Sequence, residues 1–390
     1  MTRKPISIIH VPTSVGGNPQ GLARAERKIG LLSTSMVLNQ NLFQYESDIV
    51  LWNESDGFVT REWKRFKAIL EIPGKYDIVH FNYGNTLAGV ANETIAPMGR
   101  GLRQVLKSIV ARAYRATLRR FELVYLRARG VKMVVTFQGD DARQGDYCLA
   151  NFEITTANHV EEGYYSKRSD RSKRKTIRLL HSFCGHFYSV NPDLCHVLPE
   201  STKFTPYAHV DPDEWKPIYP VKDNRPLKIL HAPTHRRVKG TARILEALEN
   251  LKGRGYSFEL ELVENLPYSE ARKRYEKADV LIDQIYAGWY GGLAVELMAL
   301  GKPVACYIRE GDLQFIPERM RAQLPIVRIN HSDLELSIKR LFEFSRSELR
   351  ELGHVSRKFV EDWHSPATIA RSLSADYSGL LAGSEAGRKS

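Results

Sequence analysis

The chain reads as two α/β units, each an open parallel sheet covered by helices on both faces, set to face one another across a cleft. Three observations predict this. Short apolar runs alternate with helical patterns along most of the sequence, the order that builds parallel sheets with crossover helices. The 390 residues exceed what one ordinary hydrophobic core holds together. A proline-containing stretch, 210–226, breaks the alternation near the middle and is the natural linker. In such folds ligands bind beyond the C-terminal ends of the strands, so a site is expected where the two units face each other.

The first unit, 1–210, opens with an apolar strand at 6–11, the loop PTSVGGNPQG and a helical pattern over 22–32. Apolar runs at 48–52, 77–81 and 131–137 follow, the last leading into the polar loop QGDDARQGD, and 186–190 supplies one more. The second unit, 211–365, is cleaner: strand 227–230, helix 240–251, strand 258–263, helix 268–277, strand 280–285, helix 293–300 and a strand from 304. Helical patterns begin near Ser332, Ser347 and Ser365. Residues 366–390 are expected to be a last helix and a flexible tail ending in GSEAGRKS.

Hydrophobic residues make up 43% of the chain and charged ones 26%, which excludes a disordered polymer. No apolar run is long enough to span a membrane, and the N-terminus lacks the apolar stretch of a signal peptide. Cys148, Cys184, Cys195 and Cys306 have no framework spacing, so a reducing, cytoplasmic setting is expected. The net charge of +12 is uneven: 1–210 carry 29 basic against 19 acidic residues, the remainder 28 against 26. A basic first unit calls for an anionic partner, whether lipid, pyrophosphate, acidic saccharide or nucleic acid.

The densest signal is 288–304, GWYGGLAVELMALGKPV. The helix at 293–300 is apolar on nearly every side, the pattern of a buried helix, yet Glu296 sits inside it. A buried carboxylate needs a partner, so either a protein cation or a ligand must meet it. Gly291 and Gly292 open the helix, where free N–H groups and the positive dipole end suit a phosphate. A phosphate there and a hydroxyl-binding carboxylate one turn inside would fit a nucleotide sugar.

A second constellation is HAPTHRRVKG, 231–240, between a strand and a helix. His235, Arg236, Arg237 and Lys239 project from one loop at a strand end, well placed for a diphosphate. The same composition also describes a solvated basic loop.

Taken together, the basic loop ending in Lys-Gly, Ala278-Asp279-Val280, Gly-aromatic-Tyr-Gly before Glu296, and Gly301-Lys302-Pro303-Val304 resemble the donor domain of retaining glycosyltransferases of the GT-B fold. That group includes bacterial lipopolysaccharide and exopolysaccharide enzymes. The resemblance continues, more weakly, in the Gly16-Gly17 loop, in Asp77-Ile78-Val79-His80 and in Tyr207-Ala208-His209-Val210-Asp211. It implies two Rossmann-like domains and a nucleotide diphosphate sugar as co-substrate, with no cofactor and no required metal. By it, Arg236 and Lys239 would bind the diphosphate. Gly292 and Leu293 would offer N–H groups to phosphate, Glu296 would hold the ribose hydroxyls, and Gly16-Gly17 would close from the other unit. Two departures stand out. A glutamate usual in the family eight positions before Glu296 is Gly288, and the usual Gly-Arg pair opening the basic loop is Pro233-Thr234. Asp283, Gln284 or Trp289 are the residues nearby in sequence that could compensate.

In the loop 138–143, Gln138 stands where the family often has a histidine, and Asp140 or Asp141 could orient or deprotonate an acceptor hydroxyl. The same residues also describe a capped turn. His181, Cys184, His186, Cys195 and His196 cluster in sequence but match no zinc-finger spacing. Residues 100–129 carry nine basic residues and one acid, Glu122, with Leu102, Val105, Leu106, Ile109, Val110, Ala113, Tyr114 and Leu118 at helical spacing. Such a helix either lies on an anionic membrane or packs its apolar side into the domain. The basic run 167–175 favours the membrane.

The expected activity is transfer of a sugar to a lipid-linked or polysaccharide acceptor by a cytoplasmic enzyme peripheral to the inner face of the membrane. Three rivals are kept: a nucleotide-sugar epimerase of the same fold, a nucleic-acid-binding or DNA-glycosylating protein, and a non-catalytic scaffold. Nucleic acid is disfavoured because the basic stretches lack the interleaved aromatics of a base-stacking surface.

Overall fold

The computed structural model describes residues 4–40, 45–89, 102–221 and 223–386. Strands β1 (Ser7–Val11), β2 (Leu32–Val37), β3 (Ile49–Val50), β4 (Ile78–Asn82), β5 (Lys132–Phe137), β6 (His186–Ser189) and β7 (Lys203–Phe204) form one sheet in the order β3-β2-β1-β4-β5-β6-β7. Strands β8 (Leu227–His231), β9 (Phe258–Leu262), β10 (Val280–Ile282), β11 (Val304–Cys306) and β12 (Ile326–Arg328) form a second, ordered β12-β11-β10-β8-β9. Every pairing is parallel. The expected two-sheet α/β architecture is present.

Sequence and structure differ at three elements of the first unit, each for a different physical reason. The first helix spans Asn18–Lys28 rather than 22–32, because Pro19 starts it and Gly30, at φ +91°, turns the chain into a strand. That strand, β2, reads as polar. In the fold Ser33 Oγ donates to the buried Glu26 at 2.6 Å, and Ser35 donates to Asp48 through N and Oγ at 2.7 and 2.8 Å. The helix Phe58–Lys75 also escapes sequence pattern. Its Ala68, Ile69 and Ile72 face the core while Val59, Trp63 and Phe66 face out, so no single apolar stripe exists.

The last helix, Pro366–Ala386, runs into the stretch read as a tail; residues 387–390 lie outside the described ones. It packs back on the first unit. Buried Tyr377 donates to Glu26 at 3.2 Å and lies 2.7 Å from His80 Nδ1, under the first sheet. The linker is anchored as well: Ala208 N donates to Asn18 Oδ1 at 2.6 Å, and Lys28 pairs with Asp211 at 2.5 Å. These contacts hold residues 207–211 against the first helix and place His209 between the two units.

Candidate functional site

The wall supplied by the second unit is built at the C-terminal ends of β8 and β10. After β8 the chain makes the short helix Arg236–Lys239, and Ile285 N donates to Lys239 O at 3.3 Å. This pins the basic loop to the segment after β10. Lys239 Nζ then lies 2.6 Å from Asp283 Oδ1, while Asp283 Oδ2 accepts from Gly291 N at 2.9 Å. One carboxylate thus ties the lysine to the start of the helix Gly292–Ala299. The pairing brings Lys239, Gly291 and Gly292 together. A side chain at 291 would begin 3.2 Å from Lys239 Nζ, so glycine there leaves the ammonium beside the helix start. Leu293 follows in the helix's first turn and packs against the second unit's core.

The other cations of the loop point elsewhere. Arg236 makes a two-pronged pair with Glu264 at 2.8 Å per contact, exposed to solvent. His235 and Arg237 reach Glu161 of the first unit, at 3.4 and 3.1 Å. Neighbouring contacts extend this junction: His159 stacks on Tyr286 with centroids 3.7 Å apart, and Arg309 donates to Ile154 O at 2.7 Å. Residues 152–161 therefore clasp the two units beside the basic loop. They carry no apolar periodicity, which is why the sequence offers no sign of it.

Glu296 is buried inside the helix Gly292–Ala299. The partners it requires are weak ones: His209 Nε2 and Tyr268 Oη, each at 3.5 Å. The side chain of His209 is also buried, and its ring stands over the helix start, where a side chain at 292 would meet Cε1 at 3.3 Å. From the first unit, Gly16 and Gly17 turn β1 into its helix at φ +60° and +67°. A side chain at 17 would strike the ring of Tyr45 at 2.9 Å, and that ring lies 5.9 Å from Tyr268. The Tyr45 hydroxyl is pushed upward by burial and then by the charge of Glu296. Gly17, Tyr45, Tyr268, Glu296, His209 and the helix start thus form one chain of contacts between the units. Tyr45 and Tyr268 are 223 positions apart in sequence with nothing to link them, so only the fold reveals the pair.

Position 288 has a physical explanation. Gly288 sits at φ +80°, and a Cβ there would meet the Arg309 guanidinium at 2.6 Å. Arg309 also pairs with Asp312 at 2.7 Å and lies 3.8 Å from the Phe152 ring centre. A glutamate would be strained in backbone and blocked in space. Of the residues considered as substitutes, Asp283 faces Lys239, whereas Gln284 donates to Trp289 O and Trp289 stacks on Tyr290 inside the core.

On the first unit's wall, the loop after β5 is self-bonded. Asp141 accepts from Gln138 N at 3.1 Å and Gly139 N at 2.7 Å, the geometry of a capped turn. Burial pushes its carboxyl up to about 7, against the pull of those N–H groups. Asp140 is held by Arg143 at 2.9 Å and by the hydroxyls of Tyr164 and Tyr165, each at 2.5 Å. Burial alone would raise it, but Arg143 and the tyrosines outweigh this and hold it below the usual carboxylate range. Gln138 O accepts from Asn191, whose Oδ1 accepts from Tyr207 Oη at 2.9 Å, two residues from His209. Among the described residues no three His, Cys, Asp or Glu side chains stand together as a metal site. Cys184 is buried near Arg119, and His196 pairs with Asp312 at 3.0 Å.

No protein-family model matches the sequence, and no curated protein does. The fold does have solved counterparts. The catalytic domain of starch synthase IV from Arabidopsis thaliana, bound to ADP and acarbose, superposes with TM-score 0.60 at 12% identity, covering 97% of this chain and 100% of its own. The Anabaena HepE protein in complex with UDP-glucose gives 0.57 at 10% identity over 96% and 100%. Sucrose-phosphate synthase from Thermosynechococcus elongatus gives 0.56 at 15% identity over 97% and 100%. The chain has the two-domain GT-B fold.

Proposed function

We propose that the chain is a retaining glycosyltransferase that moves a sugar, in the manner of a hexosyltransferase, from a nucleoside diphosphate sugar to a lipid-linked or polysaccharide acceptor. The observation that carries this reading is the wall running from Lys239 through Gly291 and Gly292 to Glu296. It offers a positive end for a diphosphate and, one turn away, a buried carboxylate without a strong partner. A carboxylate satisfied only at 3.5 Å is ready to accept from a ribose diol. The ADP and UDP-glucose of the structural counterparts are ligands of this chemical class.

In this reading Lys239 and the helix start stabilise the charge that develops on the departing diphosphate, the main catalytic contribution. Those fixed positive groups take the place of a metal ion. Asp283 sets the position of Lys239. Leu293 adds an N–H to the phosphate, and His235, Arg236 and Arg237 extend the positive field. Gly16-Gly17 closes over the donor from the first unit. Asp141, held by the N–H groups of Gln138 and Gly139, or its neighbour Asp140, orients the acceptor hydroxyl or takes its proton. The basic charge of the first unit supports work at the cytoplasmic face of an anionic membrane, in the assembly of bacterial surface polysaccharide or lipopolysaccharide.

The test is transfer from a panel of nucleotide sugars, with the anomeric configuration of the product read by NMR and the reaction repeated in EDTA. Retained configuration and full activity in EDTA are expected. Inverted product, or a metal-reversible loss, contradicts the mechanism. Release of an isomerised sugar nucleotide without any acceptor would identify an epimerase instead.

A further inference from the structure

The outer surface of the first unit carries a face that sugar transfer itself does not use. The helices Phe58–Lys75 and Leu102–Ala128 lie side by side and parallel, joined at three levels. Arg115 donates twice to Glu62 at 2.9 and 2.7 Å, Phe66 stacks on Phe121 at 5.7 Å, and Tyr125 donates to Leu70 O at 3.2 Å. Both inner faces are core: Ile69 and Ile72 on one, Leu123 and Leu126 on the other. Both outer faces are apolar too. Val59, Trp63 and Phe66 form a stripe at helical spacing, and Val110, Tyr114 and Phe121 form another beside it.

These two helices hold ten of the twenty large hydrophobic side chains exposed among the described residues, so the clustering is not the usual scatter. The expected apolar face of the longer helix therefore divides. Ile109, Val110 and Tyr114 point to solvent while Leu118 is buried; the side chains of Leu102, Val105 and Leu106 lie outside the described residues. Most of the acids around the patch are paired, the exposed Glu54 before the shorter helix excepted. Glu62 is taken by Arg115, Glu71 by Lys67 and Lys75, and Asp56 by Lys64, whereas Arg112 and Arg120 are exposed. Lys67 lies 5.2 Å from the Trp63 ring. Arg120 borders an open, mainly apolar groove of about 610 Å³ with Phe121, Val124 and Leu179.

We propose that this two-helix face docks the chain on an anionic lipid bilayer. Val59, Trp63 and Val110 enter the boundary between headgroups and acyl chains, and Arg112 and Arg120 meet lipid phosphates. The same helix links that surface to the acceptor wall. Its buried Glu122 accepts from Leu87 N at 3.0 Å and Ala88 N at 2.9 Å, and a side chain at the adjoining Gly84 would begin 3.5 Å from Asp141 Oδ2. Docking therefore seats the loop beside Asp141 at the bilayer, where a lipid-borne acceptor would enter. That last step rests on the transferase reading; the docking does not.

Vesicles of phosphatidylcholine alone and of phosphatidylcholine with equimolar phosphatidylglycerol test it by sedimentation, with brominated acyl chains as fluorescence quenchers. Trp63 is the exposed one of the five tryptophans, so quenching reports its insertion. The chain is expected to sediment with the anionic vesicles, less so as salt is added, and to be quenched. Trp63→Phe should abolish quenching but not sedimentation. Val59→Ser with Trp63→Ser should weaken binding about tenfold or more at an unchanged melting temperature, since each side chain is already exposed. Sedimentation without quenching, or binding indifferent to the double substitution, overturns the proposal. So does a dimer in ultracentrifugation that the double substitution dissolves, because the face would then belong to a second copy. Loss of vesicle binding with nucleotide-sugar binding intact removes the docking surface alone; the reverse removes the transferase reading alone.

Discussion

The two walls of the cleft are built on opposite principles. On the second unit's wall, the proposed donor groups sit in an apolar setting: one carboxylate in a helix otherwise made of Gly, Leu, Ala, Val and Met, and one lysine tied to one aspartate. On the first unit's wall, most polar groups satisfy one another, the buried Gln138 Nε2 excepted. Asp141 caps its own turn, Asp140 binds Arg143 and two tyrosines, and Glu122 closes the loop at Leu87 and Ala88. The first arrangement leaves valences for a ligand. The second holds a surface in shape, and its carboxylates become chemically available only if a substrate displaces their partners and, at Asp141, the proton is lost. By the quality of their partners, Glu296 is open to a ligand whereas Asp140 and Asp141 are held as scaffolding.

Substitutions on the two walls should separate these roles. The largest effect is expected at Lys239→Ala. Removing a fixed positive group from a departing diphosphate should lower kcat by ~100-fold or more, with a much smaller effect on nucleoside binding. Equal loss for nucleoside and nucleoside diphosphate would instead report damage to the loop. Glu296→Gln comes next. A hydrogen bond to a charged acceptor contributes roughly 1.5–3 kcal/mol, so nucleotide-sugar affinity should fall about tenfold or more by calorimetry. Unchanged affinity would remove Glu296 from the site.

On the opposite wall the effect should appear in pH rather than in affinity. With its carboxyl raised to about 7, Asp141 gains the charge a base needs only as pH rises through that value. The rising limb of kcat/KM should sit there and vanish in Asp141→Asn. The stability change has the opposite sign. The folded chain holds this proton more tightly than the unfolded one, whose carboxyl titrates near 3.8, so Asp141 costs stability as pH rises from about 4 to 7 and nothing more beyond. Urea titrations of wild type and Asp141→Asn across that range would show it. The smallest effect is expected at Arg236→Ala. Its exposed pair with Glu264 is worth little, and nucleotide-sugar affinity should change less than about threefold. A tenfold loss would mean that Arg236 leaves Glu264 to bind the diphosphate.

The same contrast decides what the sequence discloses. Glu296 and the basic loop are visible because they interrupt apolar or strand-ending patterns with a charge that demands an explanation. Strand β2 is hidden because Ser33 and Ser35 serve Glu26 and Asp48, partners that only the fold brings near. The helix Phe58–Lys75 is hidden because it is apolar on two sides. His209 occurs within a recognisable run, but its place over the helix start depends on how the linker lies on Asn18. The absence of a glutamate at 288 is legible; that Arg309 fills its space is not.

Thermal shift shows whether a nucleoside diphosphate sugar is held between Lys239 and Glu296. Wild type and the Lys239→Ala/Glu296→Gln double variant would be compared against a panel of UDP-, GDP- and ADP-sugars. A ligand binding only the folded chain stabilises it by about 2.7 kcal/mol at a hundred times its Kd, a readily measured rise in Tm. At least one nucleotide sugar should raise the Tm of the wild type and leave that of the double variant unmoved. If none shifts the wild type, or if both proteins shift alike, no nucleotide sugar is held between Lys239 and Glu296.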